Sequence, residues 1–212
     1  MSNYASIGNE SGFKDLASKS YQCILMFSIP ICMGLYMLSP SLISLFAGES
    51  FTSSITALRL LAPLSMIIGV SNFIGIQVLY PLGKIKLVTI STAVGASVNF
   101  TLNLLLIKTY AQNGAAFASL IAEISVTATQ LILGRKYLPI KIFEVKYLRY
   151  VISSVIMFMT CYLILGYCYS DVSRILIVSL AGFFVYGFLL FVFKDPILIE
   201  YSQMIWKRIK SK

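Results

Sequence analysis

The stretch SYQCILMFSIPICMGLYMLSPSLISLFAG, residues 20–48, runs for 29 residues without a charged side chain. A helix rises 1.5 Å per residue, so about 20 apolar residues cross the ~30 Å of hydrocarbon in a bilayer, and this stretch exceeds that. Outward from it the pattern repeats. Uncharged runs span Leu60 to Gly83, Leu87 to Ile107, Tyr150 to Ser170 and Ile175 to Phe193, with lengths of 24, 21, 21 and 19 residues. A sixth run, Thr109 to Gly134, is interrupted only by Glu123. The expected fold is therefore an all-α integral membrane protein, a bundle of six transmembrane helices.

Composition supports this. Of the 212 residues 58% are hydrophobic and 12% charged, whereas roughly a quarter are charged in soluble domains. A net charge of +9 invites a nucleic-acid reading, but the placement of the cations argues against it. If the N-terminus is cytoplasmic and six helices alternate, fourteen of the 17 Lys and Arg residues fall on inside segments. Only Arg59, Lys108 and Arg174 fall outside. That asymmetry on short loops is the positive-inside bias of a multi-pass protein, and it places both termini in the cytoplasm.

The predicted organisation is a cytoplasmic lead-in at 1–20, a six-helix bundle over 21–193, and a basic amphipathic tail over 194–212. The helices are expected at about 21–46, 57–82, 87–107, 114–137, 147–169 and 173–193. Pro30 and Pro40 within the first predict a kink that neighbouring helices accommodate. Tail residues from Ile197 to Ile209 alternate apolar with basic types, as in a helix lying at the inner interface.

Polar residues within the spans are the candidate site. Glu123 sits near the middle of the fourth predicted helix, where a carboxyl group needs a partner or a proton. Ala115, Ser119, Glu123, Thr127 and Gln130 follow at helical spacing and form one face. The third predicted helix carries Thr92, Gly95, Asn99 and Asn103, and the second carries Ser65, Gly69 and Asn72. Two readings stand: a hydrated pathway in which Glu123 takes up a proton or cation, or a protonated Glu123 that ties helices together by hydrogen bonds. Arg59 and Lys108, at the outer ends of the second and third helices, are candidate outer-mouth cations, and equally suit snorkelling side chains.

Enzymatic constellations are lacking in the sequence. With no histidine there is no base beside a hydroxyl or thiol nucleophile, and the eight acids form no pair on one span. Cys23, Cys32, Cys161 and Cys168 all fall within predicted spans and read as small apolar packing residues. Neither a metal nor a cofactor is expected.

Several stretches carry a family resemblance. LRLLAP at 58–63, NFIGIQVL at 72–79, the Gly83-Lys84 turn, GASVNFTLN at 95–103 and NGAAFASLIAE at 113–123 resemble the C-terminal half of Wzx-type O-antigen and capsule repeat-unit flippases. These are relatives of the multidrug and toxin extrusion (MATE) transporters, in the multidrug/oligosaccharidyl-lipid/polysaccharide exporter superfamily. The likeness covers about residues 15–140, and it implies one lobe of a two-lobed transporter. By resemblance, the activity is translocation of undecaprenyl-diphosphate-linked oligosaccharide across the cytoplasmic (inner) membrane for surface polysaccharide biosynthesis, including O-antigen of lipopolysaccharide. Partners so implied are the lipid-linked oligosaccharide, membrane lipids, and the missing N-terminal lobe or polymerase and assembly proteins. The alternatives are a cation-coupled small-molecule exporter of the same fold and a non-transporting membrane scaffold or remnant.

Overall fold

The computed structural model describes residues 10–200, which are helices and turns with no strand among them. Five helices are long and apolar enough to cross a membrane: Glu10–Ala47, Ser54–Leu79, Ile85–Tyr137, Val145–Leu165 and Asp171–Val192. The third is 53 residues long, about 80 Å if straight and far more than one crossing needs. It folds back at Ala111, whose φ of 45° and ψ of −126° are not helical. Beyond that point Gly114 lies against the carbonyl of Leu106, and Gly95 against Ala122 and Val126. The element is thus two antiparallel helices and supplies two crossings, which brings the bundle to six. We number them α1 (Glu10–Ala47), α2 (Ser54–Leu79), α3 (85–110), α4 (112–134), α5 (Leu148–Leu165) and α6 (Asp171–Val192).

Helix α1 is the central post. It packs against α2 on one side and against α5 and α6 on the other, while the α3–α4 hairpin packs on α2. Its start differs from the sequence expectation: the helix begins at Glu10 and passes Tyr21 unbroken, so much of the expected lead-in belongs to it. Phe13 and Ala17 are buried there, because their helical spacing with Tyr21 continues the core-facing stripe inward. Tyr21 stacks between Phe73 of α2, with ring centroids 4.9 Å apart, and Tyr147 before α5, at 5.1 Å. Both Pro30 and Pro40 lie inside this continuous 38-residue helix.

The inner half of α2 is a π-helix over Phe73–Leu79, with the Tyr80 amide donating to the Gly75 carbonyl at 3.0 Å. Phe73, Ile74, Val78 and Leu79 are all fully buried in it. Widening the helix by one residue per turn turns these four large side chains together into the core, which a regular 3.6-residue period would spread further round the axis. At Gly83, with φ of 70°, the helix stops: Lys84 N–H reaches back to the Leu79 carbonyl at 2.9 Å, the closing bond of a Schellman turn.

The ends expected on the cytoplasmic side are tied together. Lys19 Nζ is 2.8 Å from Glu200 Oε1, so the first and last described segments meet at one end of the bundle. After Asp195 the described part of the tail forms a short helix that begins at Pro196. Its expected continuation through Ile209 lies outside the described residues.

Candidate functional site

The residues of the three predicted polar faces fall in different surroundings. Gln130 is 3% exposed and packed between α4 and α2. Ser71 Oγ donates to its Oε1 at 3.3 Å, and its amide nitrogen lies over Gly75, where a Cβ would come within 2.9 Å. Gly75 thereby leaves room for the Gln130 amide, which makes a buried polar tie from α4 to Ser71 just before the π segment. Thr127 is buried and returns its hydroxyl to the Glu123 carbonyl at 2.9 Å, the ordinary i−4 bond of a helical threonine. Asn103 donates to Asn99 Oδ1 at 2.9 Å, which pairs these two amides along α3, and Asn103 Oδ1 is buried with no hydrogen-bond partner among the described residues. Asn72 is exposed.

Glu123 occupies the midpoint of α4 and is half-buried. Its carboxylate makes no hydrogen bond or ion pair with another described residue. At the outer end Arg59 is engaged with α1: its Nε donates to Ser39 Oγ at 3.0 Å and its guanidinium lies 5.3 Å from the centre of the Tyr36 ring. Lys108 is exposed.

Two concavities lie toward the end of the bundle that holds Lys19 and Glu200. One is a cleft of about 690 Å³ bounded by α1 (Tyr21, Leu25, Ile29), α2 (Met66, Ile67, Val70), α4 (Ile124, Thr127, Ala128, Leu131) and the start of α5. Of the six candidate cavity residues only Thr127 lines it. Its wall is almost wholly hydrocarbon, because each bordering helix turns an aliphatic stripe toward it. The second is an open vestibule of about 1340 Å³, lined by Lys14, Arg135, Lys141 and Lys146 together with Asp15 and Glu144. These cations arrive from three places, the start of α1, the end of α4 and the loop over 138–147. That loop is pinned by the Tyr21 hydroxyl, which donates to the Ile142 carbonyl at 3.2 Å. Reading the chain residue by residue, the four cations counted only as inside-loop charge; nothing in their spacing marks them as neighbours.

A buried ionic cluster was likewise not anticipated. Asp195 is fully buried, with Arg149 Nε 2.9 Å from its Oδ2 and the Tyr150 hydroxyl donating to the same oxygen at 2.8 Å. Its other oxygen accepts from the amides of Ile197 at 3.0 Å and Leu198 at 3.1 Å, capping the tail helix. Arg149 Nη2 also donates to Gln22 of α1 at 2.7 Å. The signal was present in Asp195-Pro196, an acidic N-cap followed by proline at the first helical position. Among the described residues no group of three His, Cys, Asp or Glu side chains is placed to hold a metal ion.

No protein-family model matches the sequence, and no curated protein matches it. A solved structure does: the all-helical fold superposes on lipid II flippase MurJ in its inward closed conformation with a TM-score of 0.79. The two share 22% sequence identity over 92% of this chain. The match spans 42% of the MurJ chain, so this chain corresponds to less than half of that protein's length.

Proposed function

We propose that this chain is one lobe of a flippase that carries a lipid-linked oligosaccharide precursor across the cytoplasmic membrane, with both termini on the cytoplasmic side. The observation that carries the reading is the fold: nearly the whole chain follows that of lipid II flippase MurJ. The cargo we assign is an undecaprenyl-diphosphate-linked repeat unit of a surface polysaccharide, on the strength of the Wzx-type sequence stretches. The cytoplasmic placement of the termini is supported by the gathering of cations on alternate connecting segments, and the contact of Lys19 with Glu200 supports a common side for the first and last described segments. The lobe acts in this reading by binding and reorienting cargo rather than by making or breaking bonds.

Within the same proposal, Glu123 is the coupling residue, with Asn99, Asn103, Asn72, Thr127 and Gln130 supporting the helix contacts around it, and Arg59 and Lys108 facing the outer side. Expression in a flippase-null strain, alone and joined to the N-terminal lobe of a related translocase, is the test. Restored surface polysaccharide in either form supports the proposal. No restoration in either, with the protein present in the membrane, favours the scaffold or remnant reading. Dye export without glycan export would identify a small-molecule exporter instead.

A further inference from the structure

Lys84 and Lys136 belong to different elements and arrive at one ring. Lys84 follows Gly83 in the α2–α3 turn, and Lys136 lies in the helical turn Arg135–Tyr137 that follows α4. Their Nζ atoms stand 4.9 Å and 5.0 Å from the centre of the Tyr137 ring. Both ammoniums also interact with the Tyr137 hydroxyl. The ring itself packs against the core, so it is a fixed platform on which the two lysines converge. Attraction to the ring face explains why each ammonium lies there singly. It does not offset their mutual repulsion, and neither lysine forms an ion pair with an acid among the described residues. Lys84 is also the N-cap residue of α3, whose unpaired first-turn amides add to the positive potential.

We infer that Lys84, Lys136 and Tyr137 form a binding site for a phosphate monoester, with the two ammoniums and the phenol O–H donating to its oxygens. Such a group carries close to two negative charges near neutral pH and three acceptor oxygens, which matches two cations and one neutral donor. A phosphodiester carries a single charge and fits less well. The three residues lie where long apolar helices end, a level that lipid headgroups and soluble solutes both reach. The monoester is therefore either the headgroup of a lipid such as phosphatidic acid or part of a soluble molecule. None of the three residues lines the cleft or the vestibule, and the inference does not depend on the flippase reading. Lys136 is exposed, so solvent and salt screen its charge and keep the affinity modest.

The test is native mass spectrometry of the full chain in detergent, titrated with dioctanoyl phosphatidic acid as the probe. Dioctanoyl phosphatidylglycerol is the phosphodiester comparison and glycerol phosphate the soluble competitor. Wild type is expected to bind the probe about threefold more tightly than phosphatidylglycerol. Lys84→Gln combined with Lys136→Gln is expected to weaken the probe about fivefold, the sum of two modest charge contacts. Lys86→Gln combined with Arg135→Gln removes equal charge from neighbouring positions and is expected to stay within about twofold. Tyr137→Phe keeps the ring and loses the hydroxyl, and about threefold weaker binding is expected.

Equal weakening by the two glutamine pairs reduces the effect to general surface charge and overturns the site. Equal affinity for phosphatidic acid and phosphatidylglycerol overturns it as well, and so does undiminished binding by Tyr137→Phe. A melt of each variant separates binding from folding: if the two lysines only staple the ring, Lys84→Gln with Lys136→Gln lowers the melting temperature and leaves the probe's selectivity intact, which also overturns the site. Tyr137→Phe preserves the packing of the ring and carries the test should the glutamine pair fold poorly. Displacement of the probe by an equal concentration of glycerol phosphate assigns the site to soluble monoesters, and a probe that glycerol phosphate does not displace assigns it to a lipid headgroup.

Discussion

Arg149 Nε stands 2.9 Å from Oδ2 of Asp195, an acid with no exposed surface, and this pair joins the start of α5 to the segment that follows α6. Gln22 of α1 reaches the same guanidinium at 2.7 Å, so three segments that are distant in sequence share one charge pair.

Removing one member of a buried pair leaves the other charge uncompensated, at a cost of about 3–5 kcal/mol. Asp195→Ala also removes the tail-helix cap, and a marked fall in thermal stability is expected for the detergent-solubilised protein. Asp195→Asn keeps an oxygen for the cap and should lose less. Equal stability of wild type and Asp195→Ala in a thermal melt would contradict this account.

Ala111 adopts φ 45° at the tip of the α3–α4 hairpin, a conformation that suits glycine better than an L-residue with a Cβ. Such backbone outliers cost about 1–3 kcal/mol, and glycine returns part of that gain through unfolded-state entropy. Ala111→Gly is therefore expected to raise stability by about 1 kcal/mol, read as a higher melting temperature. A lowered one would mean that Ala111 is not strained.

Gly95 lets α3 approach the Ala122 carbonyl and the Val126 side chain of α4. A side chain there must push backbone from backbone, and overpacking of this kind costs about 1–3 kcal/mol. Gly95→Val is expected to reduce folded protein in the membrane, whereas Gly34→Ala, with open space around the glycine, should not. Fluorescence-detected size exclusion measures both.

The Glu123 carboxylate has no partner among the described residues, so Glu123→Gln removes charge without breaking a contact. Stability is expected to change by less than about 0.5 kcal/mol, in the usual range for substitutions that touch no packed feature. Surface polysaccharide in the two-lobe complementation strain is expected to fall sharply. Unchanged polysaccharide at normal expression would remove Glu123 from the coupling role.

Much of the fold was legible because a bilayer imposes a one-dimensional rule: each crossing needs a long uncharged run, and cations gather on one side. Those two features determined the class of fold and a bundle of six crossings, and Glu123 stands out in sequence because an acid in such a run is costly. The π segment at Phe73–Leu79 was not legible, since it depends on how α2 meets Gln130 and the core, and its residues read equally well as a regular helix.

What the sequence determined by itself is thus an all-helical membrane fold built on long uncharged runs, whereas the start of α1 at Glu10 rather than near Tyr21 came from the structure. Tertiary structure alone decided which side chains meet. It withdrew Gln130 into a helix interface and committed Arg59 to Ser39 and Tyr36. It also paired Arg149 with Asp195 and gathered Lys14, Arg135 and Lys141 around one vestibule. The physical reason is that helical periodicity specifies a face but not its neighbour, and a cation on a loop looks the same in sequence whether it meets water, an acid or a cavity.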